Sequence, residues 1–309
     1  MSPAAKIGFW ARLAPRRSST EALLLGTVAV WALNFTSVKY GITHGFSPIM
    51  FAAPRYALAG LMLGGFTLAR EGSLRISRRD LGALAAAALI GITLNQFSFA
   101  YALHFASAAA VALLFGTAPV LVALIAHFSG NERLGMRSWL GAGLSLAGVG
   151  LLIAGGGGVS GSLPGLLLAL ATAVTWAVYS VLAAPLMRRY SSYRLNATVT
   201  LLGSIPLFAI AAPKLGSEHW SAIGPLAWLA FVYSVVAYVF GNIIWFVAIR
   251  RVGPSHAALY INLEPFLGAV FAVVLLSEGL GLLQALGGVV IAVAIFVARS
   301  SRAQVPIAE

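Results

Sequence analysis

Glu264 is the one carboxylate of this chain set in the middle of a long apolar stretch. An acid at such a depth faces protein or a wet cavity, never lipid. Two roles fit it: a group that carries a proton or contacts a substrate amine, or a tie between helices. Pro265 supports the second role, because a proline frees the carbonyl four residues back and leaves polar groups to satisfy, which Asn262 and Glu264 could serve. His256, Tyr260 and Glu264 fall at i, i+4 and i+8 and form one helical stripe. His256 and Glu264 are thus candidates for proton coupling. Taken alone, His256 also reads as an ordinary buried, hydrogen-bonded histidine.

Other side chains repeat as sets. Thr27, Trp31 and Asn34 share one face of a helix, and Thr172, Trp176 and Tyr179 share another. Gln96 and Phe99 have counterparts in Asn242 and Trp245, with Tyr238 one turn earlier. Amides suit an ammonium or carboxylate, and rings suit an apolar side chain or a cation. Interhelical packing with amide glue explains any one of these residues. The set, present twice, points to the lining of a substrate cavity made by Trp31, Asn34, Gln96, Phe99, Trp176, Tyr179, Tyr238, Asn242, Trp245 and Tyr260. Lys39 and Arg55 lie near the outer ends of their stretches, where long cationic side chains snorkel to the interface. The alternative is a cation at the cavity mouth against a substrate carboxylate. Lys39, close to Asn34, is the better candidate and is counted with the lining.

Catalytic readings find little support. Paired aspartates for an intramembrane protease are missing, since Asp80 stands alone. Gly158–Gly161 reads G-x-S-G, the setting of a rhomboid-type nucleophile, but no histidine is phased against it. The five histidines are dispersed and there is no cysteine, so no metal site is indicated and no cofactor is expected. No P-loop is present to couple ATP. The net charge of +12 does not imply nucleic acid, because the basic residues are scattered through short loops.

What must position these residues is a set of membrane-spanning helices. Hydrophobic residues make up 60% of the 309 and charged residues 9%. Stretches 81–131 and 138–187 carry no charge at all. A bilayer accounts for this, since about 20 apolar residues span its core as a helix. Ten spans are predicted: 22–41, 48–69, 81–103, 107–128, 138–154, 164–187, 195–213, 223–249, 255–277 and 280–298. Of 20 Lys and Arg, 17 fall before the first span or after an even-numbered one, from Lys6, Arg12, Arg16 and Arg17 to Arg299 and Arg302. The positive-inside rule then puts both termini in the cytoplasm, with the protein in a bacterial-type inner membrane. Pairs such as Gly141/Ser145 and Gly287/Ile291 predict close helix contacts in spans five and ten, either between halves of one chain or in a homodimer.

The chain also repeats itself. Residues 119–141 and 265–287 align without a gap at an offset of 146, and nine of 23 positions are identical. The matches include Pro119/Pro265, Glu132/Glu278 and Gly135/Gly281. Thr27 and Trp31 match Thr172 and Trp176 at an offset of 145. The expected organisation is a basic N-terminal segment (1–20), a first five-span repeat (21–154), a Gly/Ser linker (155–163), a second repeat (164–299) and a tail (300–309). Five is odd, so the second copy crosses the membrane inverted. Such repeats carry alternating access, with the site near the midplane between them. Helix kinks are expected at Pro119 and Pro265, with no other helix interruption. The copies are not chemically equal: the positions matching His256, Tyr260 and Glu264 are the apolar Ala110, Leu114 and Ala118.

Three segments carry a family resemblance. Ala257–Leu280 contains N-L-E-P at Asn262–Pro265 and ends in S-E-x-L at Ser277–Leu280. Trp31–Gly41 reads WALNFTSVKYG, and Pro54–Gly60 reads PRYALAG. Together with the ten spans, they resemble the drug/metabolite transporter superfamily of the EamA type over about residues 20–299. N-L-E-P has no match in the first half, which reads Gly116–Pro119. The resemblance implies an all-α polytopic protein, two inverted five-helix repeats around a central cavity, that exports small metabolites. Amino acids come first, in character nearest the exporters of aromatic and large neutral ones. Multidrug or nucleotide-sugar transport is the alternative within the superfamily, and a non-transporting membrane scaffold the alternative outside it. The implied partners are a small-molecule substrate, the bilayer and, if Glu264 couples, protons.

Overall fold

A computed structural model of the chain describes residues 17–130, 134–155, 161–253, 257 and 260–299. His256, Glu132, the first 16 residues, residues 156–160 and the tail from 300 lie outside the described residues. The described chain is all-helical. In a layer without water every backbone N–H and C=O must pair within the protein, and only the helix does this segment by segment. The ten helices are α1 (Arg17–Thr43), α2 (Pro48–Glu71), α3 (Arg78–Phe105), α4 (Ala108–Phe128), α5 (Met136–Ala154), α6 (Leu163–Met187), α7 (Ser192–Ala211), α8 (Pro225–Val252), α9 (described as a continuous helix over Glu264–Leu276) and α10 (Leu282–Arg299). Their starts carry cap chemistry. Ser107, Ser162 and Ser191 accept from the N–H three residues on, at 3.2, 3.4 and 3.1 Å.

The helices pack mostly on the opposite half. Helix α1 lies on α8 and α9, while α6, its repeat counterpart, lies on α3 and α4. Helices α2 and α7 cross, as do α4 and α9, and α5 and α10. A pattern unchanged when the halves are exchanged is that of two repeats related by a two-fold axis. The α5/α10 crossing shows what the glycines do. A Cβ on Gly148 would stand 2.9 Å from the carbonyl oxygen of Gly287, and one on Gly287 2.8 Å from that of Gly148. Gly141 approaches Ala298 equally closely. These contacts join the two halves within one chain.

Two helices depart from the expected continuity. Helix α4 is interrupted at Gly116–Thr117 and α9 at Asn262–Leu263. The new helical segments start at Ala118 and Glu264, with Pro119 and Pro265 in their first turn. The expected kinks are therefore full breaks two to three residues upstream of the prolines. The reason is steric: proline fits the first turn, where its missing N–H is harmless, but not the interior. Helix α3 contains an unanticipated π-turn over Leu89–Leu94.

On the side of the termini, polar pairs tie the halves. Asp80 accepts from Arg189 and from the Tyr190 hydroxyl (2.6 Å), and Glu71 pairs with Arg194 at 3.2 Å.

Filling the α5/α10 crossing tests this packing. Gly148→Val should lower the thermal midpoint of the detergent-solubilised protein, by roughly 1–3 kcal/mol of overpacking. Gly143→Val, one turn away with nothing within 4 Å of its Cβ position, should leave it unchanged. Equal midpoints for the two variants would contradict the crossing.

Candidate functional site

Between the halves lies a cavity of about 580 Å³. Its walls come from both repeats. Trp31, Asn34 and Phe35 (α1), Tyr56 (α2), and Asn95, Gln96 and Phe99 (α3) face Thr172, Trp176 and Tyr179 (α6), Asn196 (α7), and Tyr238, Asn242 and Trp245 (α8). The broken helices contribute Gly116 and Pro119 from one half, and Asn262, Glu264 and Pro265 from the other.

The rings form a continuous lining. Trp31 and Trp245 lie 5.4 Å apart, Phe35 and Phe99 5.3 Å in an edge-to-face pair, and Tyr56 and Tyr238 4.9 Å. Small residues make room for them. A Cβ on Gly91 would lie 2.4 Å from the Tyr179 ring, and one on Gly241 would lie 2.2 Å from the Trp31 indole nitrogen. Gly91 sits inside the π-turn, which also sets the register of Asn95 and Gln96 just after it.

The polar groups form two clusters, one centred on each repeat. In the first, Arg55 donates to Gln96 Oε1 at 2.7 Å and to Asn34 Oδ1 at 3.4 Å. Gln96 passes a hydrogen bond to Asn95 Oδ1 (2.7 Å), and Asn95 donates to the Thr172 carbonyl (2.9 Å) and the Thr175 hydroxyl (3.0 Å). The chain of bonds thus crosses from α2 through α3 into α6. In the second cluster, Asn196 donates to Asn242 Oδ1 at 2.7 Å, while Thr200 and Tyr238 meet Asn196 Oδ1 at 3.1 and 3.3 Å. Among the described residues Glu264 is the lone acid of the lining, half-buried at the first residue of its half-helix.

The cavity reaches Ser138 at the start of α5, Met187 at the end of α6 and Ala298 near the end of α10. All three lie on the side of the termini. The opposite end is closed. Lys39 Nζ donates to the carbonyls of Leu103 (2.6 Å) and Ala106 (2.8 Å). Glu278 accepts from the N–H groups of Ala108 (2.9 Å) and Ala109 (3.0 Å), at the start of α4. Ser277, in the left-handed conformation (φ 53°), ends α9 and turns the chain so that Glu278 reaches across.

Nine of the eleven residues expected in the lining are there: Trp31, Asn34, Gln96, Phe99, Trp176, Tyr179, Tyr238, Asn242 and Trp245. Lys39 is not. Carbonyls at the end of α3 lie within its reach and hold its ammonium outside the cavity. Tyr260 is not in the lining either, but packs against the Leu24, Val28 and Trp245 cluster on the side of the termini. Arg55 does not snorkel: it is 2% exposed, because Gln96 and Asn34 offer oxygens nearer than water. An unsupported arginine at helix centre costs about 2.5–3.5 kcal/mol on insertion scales, which those contacts offset. Tyr56, Asn95 and Asn196 line the cavity without having been expected there. Their signal was adjacency alone: Tyr56 follows Arg55, and Asn95 precedes Gln96.

Ten helices in two repeats about a shared cavity have the architecture of a secondary transporter. A family model agrees: the EamA-like transporter family matches residues 18–154 and 163–300, one match per half. The chain belongs to that family. It is similar to an uncharacterized transporter of Archaeoglobus fulgidus, 28% identical over 291 residues, covering 93% of this chain and 99% of the relative. It is also 28% identical over 299 residues to a probable amino-acid metabolite efflux pump of Escherichia coli, covering 91% and 94%. An uncharacterized transporter of Bacillus subtilis is 26% identical over 276 residues, covering 88% of this chain and 87% of that one. A protein crystal structure superposes with a TM-score of 0.63 at 24% identity, covering 93% of this chain and 99% of the other, which supports the fold.

The closed end makes a prediction, and the lack of native cysteine keeps the background silent. A membrane-impermeant thiol reagent should modify Val122→Cys, in the cavity wall, faster from the side of the termini than from the other. Glu278→Gln in that background should raise the rate from the far side. Equal rates from both sides in the parent would show that the cavity is not one-sided.

Proposed function

We propose that the protein is a secondary transporter that exports small metabolites by alternating access, and that amino acids, large neutral and aromatic ones foremost, are its substrates. The observation that carries this reading is the lining itself: paired rings from both repeats, with amides between them, around one cavity of about 580 Å³. Rings accept a bulky apolar side chain, and the amides and Glu264 accept the polar end. The amino-acid metabolite efflux pump among the relatives supports the same class. Nucleotide sugars fit less well, since among the described residues no Lys or Arg lines the cavity to meet a polyanion.

The repeats supply the motion. Exchanging the conformations of two equivalent halves turns a cavity open at one end into one open at the other. With the termini in the cytoplasm, as the basic loops indicate, the described arrangement is the loading state of an exporter. Glu264 is the group we assign to proton coupling.

Counterflow in proteoliposomes with a panel of labelled amino acids, at two pH values, tests class, substrate and coupling together. Uptake of labelled aromatic or large neutral amino acids into preloaded vesicles is expected. No exchange of any panel member would end the amino-acid reading. Glu264→Gln should keep counterflow but remove its pH dependence; an unchanged profile would free Glu264 of that role.

A further inference from the structure

Arg55 is the one buried cation among the described residues, and no acid is near it. Asp80 pairs with Arg189 and Glu71 with Arg194, and Lys39 and Glu278 at the closed end bond backbone groups at helix ends. Arg55 has only neutral company. Its guanidinium meets the oxygens of Gln96 and Asn34, and its Cζ lies 4.8 Å from the Tyr56 ring centre and 5.7 Å from that of Phe51. Its Nε has no partner. A guanidinium stays protonated at any working pH and offers five donors in a fixed fork. These neutral neighbours offset its burial but supply no counter-ion and leave donor capacity unused.

The cavity offers an anion a route to this guanidinium. Asn34, Gln96 and Tyr56 stand between Arg55 and the cavity, and all three line it. Asn34 turns its oxygen to Arg55, so its Nδ2 hydrogens remain for a ligand. Rotation of Asn34 or Gln96 would bring an anion directly onto the guanidinium fork. We propose that Arg55, Asn34 and Gln96 form an anion subsite that takes a single carboxylate of the transported molecule. This rests on the amino-acid reading above and sharpens it, placing the substrate's acid end on the α1–α2–α3 wall. One guanidinium flanked by two amides matches a monoanion. A polyphosphate would bring charges that nothing else in the wall meets.

Matched acid and amide ligands test the subsite on the purified protein, read as thermal midpoint at fixed ionic strength. Phenylalanine and 3-phenylpropanoate are compared with phenylalaninamide and 3-phenylpropanamide. The acids should raise the midpoint at about tenfold lower concentration than their amides. Arg55→Lys keeps the charge but loses the fork, so it should weaken the acids about tenfold and leave the amides alone. Asn34→Asp supplies an internal counter-ion, so it should raise the unliganded midpoint and abolish the preference for acids. A purely structural Arg55 moves neither ligand series. Wild type that does not prefer the acids, including one that no acid shifts, overturns the subsite. So does a folded Asn34→Asp that keeps the preference. Binding of 3-phenylpropanoate but not of phenylalanine retires the amino-acid reading and leaves the subsite standing.

Discussion

Every polar group in the apolar layer must find its partner inside the protein, and the architecture follows from how that is met. Most of the backbone meets it by being helical. The exceptions are informative because each borders the cavity. The breaks in α4 and α9 sit at equivalent positions, 146 residues apart, and both open onto the cavity. At both breaks the pairing tightens to the third residue back, Thr117 N–H to the Leu114 carbonyl at 3.1 Å and Leu263 N–H to the Tyr260 carbonyl at 2.9 Å. The π-turn in α3 is a smaller case, and it too borders the cavity at Ile92.

The same constraint governs how the ends close. Helix starts carry free N–H groups, and the α4 start has its two satisfied by Glu278 from the other repeat. Helix ends carry free carbonyls, and Lys39 takes two of them. The seal at the closed end is thus built from groups that the helix termini leave over. Such a seal rests on a few charge-assisted hydrogen bonds between helix ends. The glycine crossing of α5 and α10 behaves differently. The carbonyls of Gly148 and Gly287 approach each other's chain there, with Ile291 and Leu152 packed against the same glycines. A bundle held firmly at that crossing and loosely at its ends is suited to two discrete arrangements.

Much of this was legible in the chain. Charge-free stretches placed the helices within a few residues, since desolvation of charge is the largest local penalty a bilayer imposes. The mirrored amides and rings pointed to nine lining residues, because helical phase and repeat offset together fix a face. Lys39, Tyr260 and Arg55 were misplaced for a shared reason. Snorkelling and stripe arguments use a residue's own helix, whereas its position was decided by a neighbour: carbonyls at the end of α3 for Lys39, the Leu24 cluster for Tyr260, and Gln96 from α3 for Arg55. The breaks were foreshadowed by Pro119 and Pro265, but proline fixes where a helix can restart, not where the previous one stops.

The two repeats share a backbone plan but not a chemistry, and that difference gives the cavity a direction. Helix α2 brings a guanidinium to the amides of α1 and α3. Helix α7, its counterpart, brings Asn196 and Thr200 to Asn242 and Tyr238 of α8, a cluster with no formal charge. The break of α9 carries Glu264, while the matching position of α4 is Ala118. A symmetric lining would hold a ligand equally well in two orientations related by the axis. An asymmetric one gives each end of a dipolar ligand its own wall, and exchanging the halves' conformations leaves those walls in place. The helices are thus near-symmetric about the cavity while a handful of its side chains are not.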